Sequence, residues 1–231
     1  MELLQDSEDD DDFTDPNPLI FDHPFNLIIV GKTGSGKTTL LKILIKYYLK
    51  FDALYICAKT INETKYLQLR ERYTLFDGIE RDDLELLNKK DKKLILEWYD
   101  KYKKEVLFTS DLNEFITVDD LDPSQKNLII FDDCVNEKDQ SKIDNFFIRG
   151  RKYNASNIYL TQKWFGIPRG IRENANCFIF LKGIFKDIYR AIRDIDCISK
   201  DEFKIIYKKV FQDEHDFLVF DKKYRRNFNP I

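Results

Sequence analysis

The chain has 231 residues, 43% of them hydrophobic and 34% charged, with 19 Phe and 12 Tyr. That balance builds one large folded domain and excludes collagen-like, mucin-like and wholly disordered chains. The formal net charge of −3 hides an asymmetry: eight of the 41 acids fall in residues 1–18, so the remainder carries 38 bases against 33 acids, a mildly basic body that permits a polyanionic partner. The longest uncharged apolar runs, 26–30 and 127–131, are far shorter than the roughly 20 residues of a membrane helix, and the acidic start has no signal-peptide character. An unsecreted protein that does not engage a membrane is expected. Its four cysteines, Cys57, Cys134, Cys177 and Cys197, form no C-x-x-C pair, and neither His23 nor His215 completes a metal site, so reduced, buried thiols are expected.

Residues 1–18 hold too little apolar material to pack and read as a disordered acidic tail, leaving 19–231 for the folded domain. Residues 26–30 (NLIIV) are a continuous apolar run that ends in a Gly-rich turn, and helical periodicity follows over LLKILIKYYL; the unit reads strand, loop, helix. A second buried strand is expected at 53–57. The charged span of about 61–104, with Leu67, Leu84, Leu87, Leu94 and Trp98 at helical spacings, reads as a helical insertion decorating the domain. Strands follow at 127–131, at 157–160 with Thr161, and at 176–181, with helices at about 137–150 and 168–173 and an edge strand at 216–220. This alternation predicts an α/β fold: a mainly parallel central sheet flanked by crossover helices.

Between the first strand and its helix stands Gly31-Lys32-Thr33-Gly34-Ser35-Gly36-Lys37-Thr38-Thr39, which fits G-x-x-x-x-G-K-[ST] in the required context. Glycines let backbone N–H groups converge on phosphate oxygens at the start of a helix. Lys37 is expected on the β- and γ-phosphates of ATP, and Thr38 on Mg²⁺. The strand 127–131 then delivers Asp132 and Asp133 at its C-terminal end, the edge where parallel sheets bind ligands. Asp132 is expected to hold Mg²⁺ through water and Asp133 to orient or deprotonate the attacking water. Asn88-Lys89-Lys90-Asp91 spells the N-K-x-D of guanine recognition, but it precedes the acidic strand and lies in a charged helical stretch, so it reads as solvated helix. Lys32, five residues before Lys37, resembles the signature lysine of the ParA and MinD class, although Thr33 stands where that class has glycine.

Arg151 lies 18 residues beyond Asp133 and Gln162 lies 29 beyond it. With TGSGKT, IIFDD, RGRKYN, LTQ and IRENAN in this order, the chain resembles the FtsK-HerA superfamily of DNA-pumping ATPases, and within it the poxvirus-type genome packaging ATPases. The resemblance covers roughly residues 20–220. It implies a RecA-like (ASCE) P-loop fold, with Lys37 as a catalytic contact, Asp133 as the catalytic acid, Arg151 as an arginine finger and Gln162 as the sensor of the γ-phosphate. The wider superfamily has glutamate where Asp133 stands. The resemblance further implies an ATPase that moves double-stranded DNA as a homo-oligomeric ring, a pentamer or hexamer, working with capsid proteins in the host cytoplasm, at the viral factory, or on the virion. Lys163, Trp164 and Arg169 follow the sensor strand in a loop that could face a central pore. The competing readings are a ParA-type switch that binds DNA without pumping it, and a P-loop kinase.

Overall fold

The computed structural model describes residues 21–85, 89–196 and 198–224. The acidic leader, Leu87, Asn88, Cys197, Arg225 and Arg226 lie outside the described residues. Strands β1 (Asn26–Val30), β2 (Ala53–Ala58), β3 (Glu105–Thr109), β4 (Asn127–Asp132), β5 (Ala155–Thr161), β6 (Cys177–Leu181) and β7 (Phe217–Asp221) form one sheet in the order β3-β2-β4-β5-β1-β6-β7. All neighbouring pairs are parallel except β6 with β7. β5 is inserted between β1 and β4, with Val30 opposite Thr161 and Asp132 opposite Leu160. The end of β5 therefore sits between the phosphate loop and the two acids.

The central strands are largely apolar because both faces of the sheet are covered, with polar side chains such as Asn127, Ser156 and Asn157 near their starts. Leu27, Ile29, Leu54, Ile56, Leu128, Ile130, Ile158 and Leu160 face one layer, where α1 (Lys37–Ile43, continued as a π-turn over Leu44–Tyr48) contributes Leu41 and Ile45, and α2 (Thr64–Tyr73) contributes Tyr66, Leu69 and Tyr73. Ile28, Tyr55, Ile129, Phe131, Tyr159, Phe178 and Phe180 face the other, against Ile143, Phe146 and Phe147 of α5 (Ser141–Arg149), Ile171 of α6 (Arg169–Asn174) and Ile188 and Ile192 of α7 (Phe185–Ile195). Each such side chain removed from water stabilises the fold by about 1.5–3 kcal/mol, which fixes the strands, and hence their C-terminal ends, in register.

Three elements depart from the sequence reading. β3 was not expected: as an edge strand its central residues are only half-buried, and it follows Lys103 and Lys104 directly, so its apolar signal is short and masked by charge. α7 and α8 (Lys200–Val210) were also unassigned, although Ser199 and Glu202 form a capping box that announces α8. Phe203 and Phe211 pack there as core beside Tyr207, whereas Phe217 is exposed on β7. The span read as a helical insertion does hold α2, α3 (Arg81–Glu85) and α4 (Lys89–Tyr102).

Candidate nucleotide-binding site

The phosphate loop leaves β1 with Gly31 N–H on the Thr161 carbonyl at 3.1 Å. Gly34 and Gly36 adopt φ of 77° and 93°, which glycine enters without steric cost, and Ser35 closes the turn by donating from N and Oγ to the Lys32 carbonyl. A Cβ on Gly31 would come within 2.5 Å of Ser35 Oγ and 3.1 Å of Leu181 Cβ, so the close return of the loop requires glycine there. Lys37 opens α1, and its Nζ folds back to donate to the carbonyls of Gly31 (2.8 Å) and Lys32 (2.9 Å). Burial depresses the Lys37 pKa, while Asp132 and Asp133 pull it the other way. Lys32, Thr33 and Thr39 are exposed, and Thr38 is half-buried in the first turn of α1.

Asp132 ends β4, buried, with Oδ2 accepting a hydrogen bond of 2.5 Å from the Tyr66 hydroxyl. Burial raises its pKa, and the Tyr66 hydroxyl and the Lys37 ammonium oppose that rise by favouring the carboxylate. Asp133 turns out of the strand at φ 55°, ψ 31°, the left-handed region, and its N–H reaches the Leu160 carbonyl at 3.3 Å. Asp tolerates that region better than most residues. Thr38 and Asp132 offer hard oxygen donors. No group of three or more His, Cys, Asp or Glu forms a metal cage among the described residues.

Gln162 follows β5 directly, and Thr33 Oγ1 donates to its Oε1 at 2.9 Å, so the expected sensor touches the phosphate loop. Arg151 does not. It stands on the 3-10 turn Gly150–Tyr153 before β5, exposed, at the opposite end of a seven-residue strand that spans about 20 Å. Arg149 at the end of α5 is engaged by Asp119 through both terminal nitrogens, and Tyr153 OH joins the same carboxylate at 2.6 Å. No hydrogen bond or ion pair engages the Arg151 side chain among the described residues.

The pore-facing role for Trp164 is corrected: its ring is buried against Phe178 and Phe180, and Nε1 donates to Asp194, whereas Lys163 and Arg169 stay exposed. Cys57, Cys134 and Cys177 are free and buried, as expected. Lys89, Lys90 and Asp91 lie on α4, in keeping with the reading of this stretch as helix, while Asn88 lies outside the described residues. Sequence reasoning missed Tyr66, which belongs to no motif and lies in the stretch read as decoration.

The model of the family described as "Poxvirus A32 protein" matches residues 15–217. Among solved structures, the genome packaging NTPase B204 from Sulfolobus turreted icosahedral virus 2 in complex with sulfate is similar at a TM-score of 0.50, with 14% identity over 90% of this chain and 93% of that one. The same protein in complex with AMPPCP gives 0.49 at 15% identity, covering 90% and 94%. No curated protein sequence matches. The likeness at 0.50 concerns the fold, a P-loop NTPase fold with β5 between β1 and β4, and the family match extends over most of the sequence. The chain belongs to the poxvirus A32 protein family.

Proposed function

We propose that this chain is an ATP-hydrolysing motor that translocates double-stranded DNA and packages a viral genome into its capsid. The observation that carries this reading is the meeting of three parts at one sheet edge, in a chain of the A32 family: the phosphate loop, the two acids of β4, and Gln162 bonded to Thr33. In this reading Lys37 exchanges the carbonyls of Gly31 and Lys32 for the β- and γ-phosphates, and the backbone N–H groups of Gly31 to Thr39 line the phosphate path. Thr38 and Asp132 would hold Mg²⁺, Asp132 through water, and the ion neutralises charge on the phosphate oxygens when bound. Asp133 orients the attacking water and takes its proton, and Gln162 contacts the γ-phosphate.

Arg151 stands at the other end of β5 from its own phosphate loop, which supports its acting on the next subunit of a homo-oligomeric ring, a pentamer or hexamer. Capsid proteins would be the ring's other partners, in the host cytoplasm or on the virion. No helix among the described residues is long and apolar enough to cross a membrane. The test is ATP turnover of the purified protein with and without linear double-stranded DNA, alongside electron microscopy with a slowly hydrolysed ATP analogue. Stimulated turnover and closed rings around DNA are expected. Transfer of phosphate to a small acceptor, or a dimer that binds DNA without continued turnover, would replace the motor by a kinase or a switch.

A further inference from the structure

We propose that Tyr66 is a positioning residue for the metal-binding acid: its hydroxyl fixes the Asp132 carboxylate through Oδ2 and leaves Oδ1 for the water shell of the ion. This rests on the assignment of Asp132 to Mg²⁺ made above. Tyr66 is fully buried, one of the largest side chains with no exposed surface, and its hydroxyl donates to Asp132 Oδ2 at 2.5 Å. A buried tyrosine hydroxyl must find an acceptor, and phenylalanine would fill the same space without that demand. The acceptor found is the acid at the end of β4. The charged groups that act on Asp132 are Lys37, Asp133 and Glu63. Of these only Lys37 is a cation, and it is the group that leaves for the phosphates when a nucleotide arrives. Tyr66 is then the donor that remains, and it keeps the carboxylate in one orientation across the exchange.

The helix that presents Tyr66 is itself tied to the phosphate loop's helix. Lys65, the preceding residue, donates from Nζ to Thr39 Oγ1 at 2.9 Å, and one turn later Lys42 on α1 donates to Gln68 at 2.5 Å. The first turn of α2 thus holds the loop's helix with one side chain and the acid of β4 with the next. α2 is a brace between the two halves of the nucleotide site.

The test uses the full chain and a fluorescent ATP analogue titrated with and without Mg²⁺. In Tyr66→Phe, binding without Mg²⁺ should stay within about twofold of wild type because the phosphate loop is untouched. The Mg²⁺ concentration that half-saturates the Mg²⁺-dependent tightening should rise about 10- to 100-fold, the usual effect of removing a hydrogen bond to a metal-binding group. Tyr73→Phe, a buried tyrosine of the same helix whose ring packs on Phe51 and Tyr102, should leave both values unchanged. If the Phe variant does not fold, Tyr66→Met fills the space, also lacks a donor, and gives the same readout. An unchanged Mg²⁺ half-saturation, or equal weakening with and without Mg²⁺, overturns the proposal. Asp132→Ala separates the two readings: if it shifts the Mg²⁺ dependence while Tyr66→Phe does not, only the role of Tyr66 falls. If Asp132→Ala shifts nothing either, the metal assignment falls with it.

Discussion

Thr33 and Gln162 are hydrogen-bonded across the sheet edge, Thr33 Oγ1 donating to Gln162 Oε1 at 2.9 Å. The bond joins the phosphate loop to the end of β5 and leaves the Nε2 donors of Gln162 to turn toward an incoming phosphate. The two residues are expected to differ in effect. Gln162→Ala should lower kcat about 10- to 100-fold with little change in nucleotide affinity, since a donor to developing charge acts mainly in the transition state. Thr33→Val, which removes only the group that parks the amide, should stay within about threefold of wild type. Equal losses in both variants would mean that the bond serves loop structure and not chemistry. Steady-state turnover with equilibrium nucleotide titration resolves this.

Lys37→Ala should abolish ATP binding and turnover together, because the ammonium that caps the loop's own carbonyls is also the one placed for the phosphates. Asp133→Asn keeps a residue that tolerates φ 55° and removes only the charge. It should slow hydrolysis by orders of magnitude while the nucleotide still binds, which single-turnover kinetics beside a binding titration would show. Wild-type turnover in Lys37→Ala would remove the phosphate-site assignment altogether.

The site was legible where backbone chemistry dictates sequence. A phosphate loop needs glycines at Gly34 and Gly36 for their positive φ, and the acids must end an apolar strand, so both announce themselves. The parallel core was legible for the same reason: strands covered on both faces read as unbroken apolar runs. β3 was not, because an edge strand with half-buried residues beside Lys103 and Lys104 has little periodic signal. Tyr66 was hidden differently. Its role depends on a hydroxyl meeting a carboxylate 66 residues away in the chain, a contact that local pattern cannot encode. The resemblance pointed to Arg151 as the finger, and the fold adds what no motif shows, that its neighbour Arg149 is engaged by Asp119.

His23 supplies a pH dependence. Its Nε2–H donates to Asn154 Oδ1 at 2.9 Å, and Ser156, which itself accepts from Phe25 N–H, donates its hydroxyl to Nδ1 at 2.6 Å. Both ring nitrogens are thus satisfied by the neutral form, and burial lowers the His23 pKa below its ordinary 6.5. The unfolded chain takes up the proton first as pH falls, so this contribution to stability is complete above about pH 6.5 and is lost between there and the lower folded pKa. Thermal midpoints should therefore drop between pH 7 and pH 5, and His23→Gln should flatten that segment of the curve. An equal slope in the variant would place the acid sensitivity elsewhere.

Arg151 provides the test of action between subunits. The transition state of phosphoryl transfer gathers charge on equatorial oxygens that Lys37 covers from within the subunit only, and an outside guanidinium is worth about 10³–10⁵ in rate. Arg149 is engaged by Asp119 in its own chain, whereas Arg151 is exposed on the turn that precedes β5, at the other end of that strand from the phosphate loop. Arg151→Ala should bind ATP and hydrolyse it poorly, and Arg151→Lys should recover only part of the loss because it lacks the planar fork. Arg149→Ala should change turnover far less. Mixing Arg151→Ala chains with Lys37→Ala chains, each inactive alone, creates interfaces that pair an intact phosphate loop with an intact Arg151, so activity should return in mixed rings. Silent mixed rings, verified by differently tagged subunits eluting together, would show that Arg151 does not act in trans.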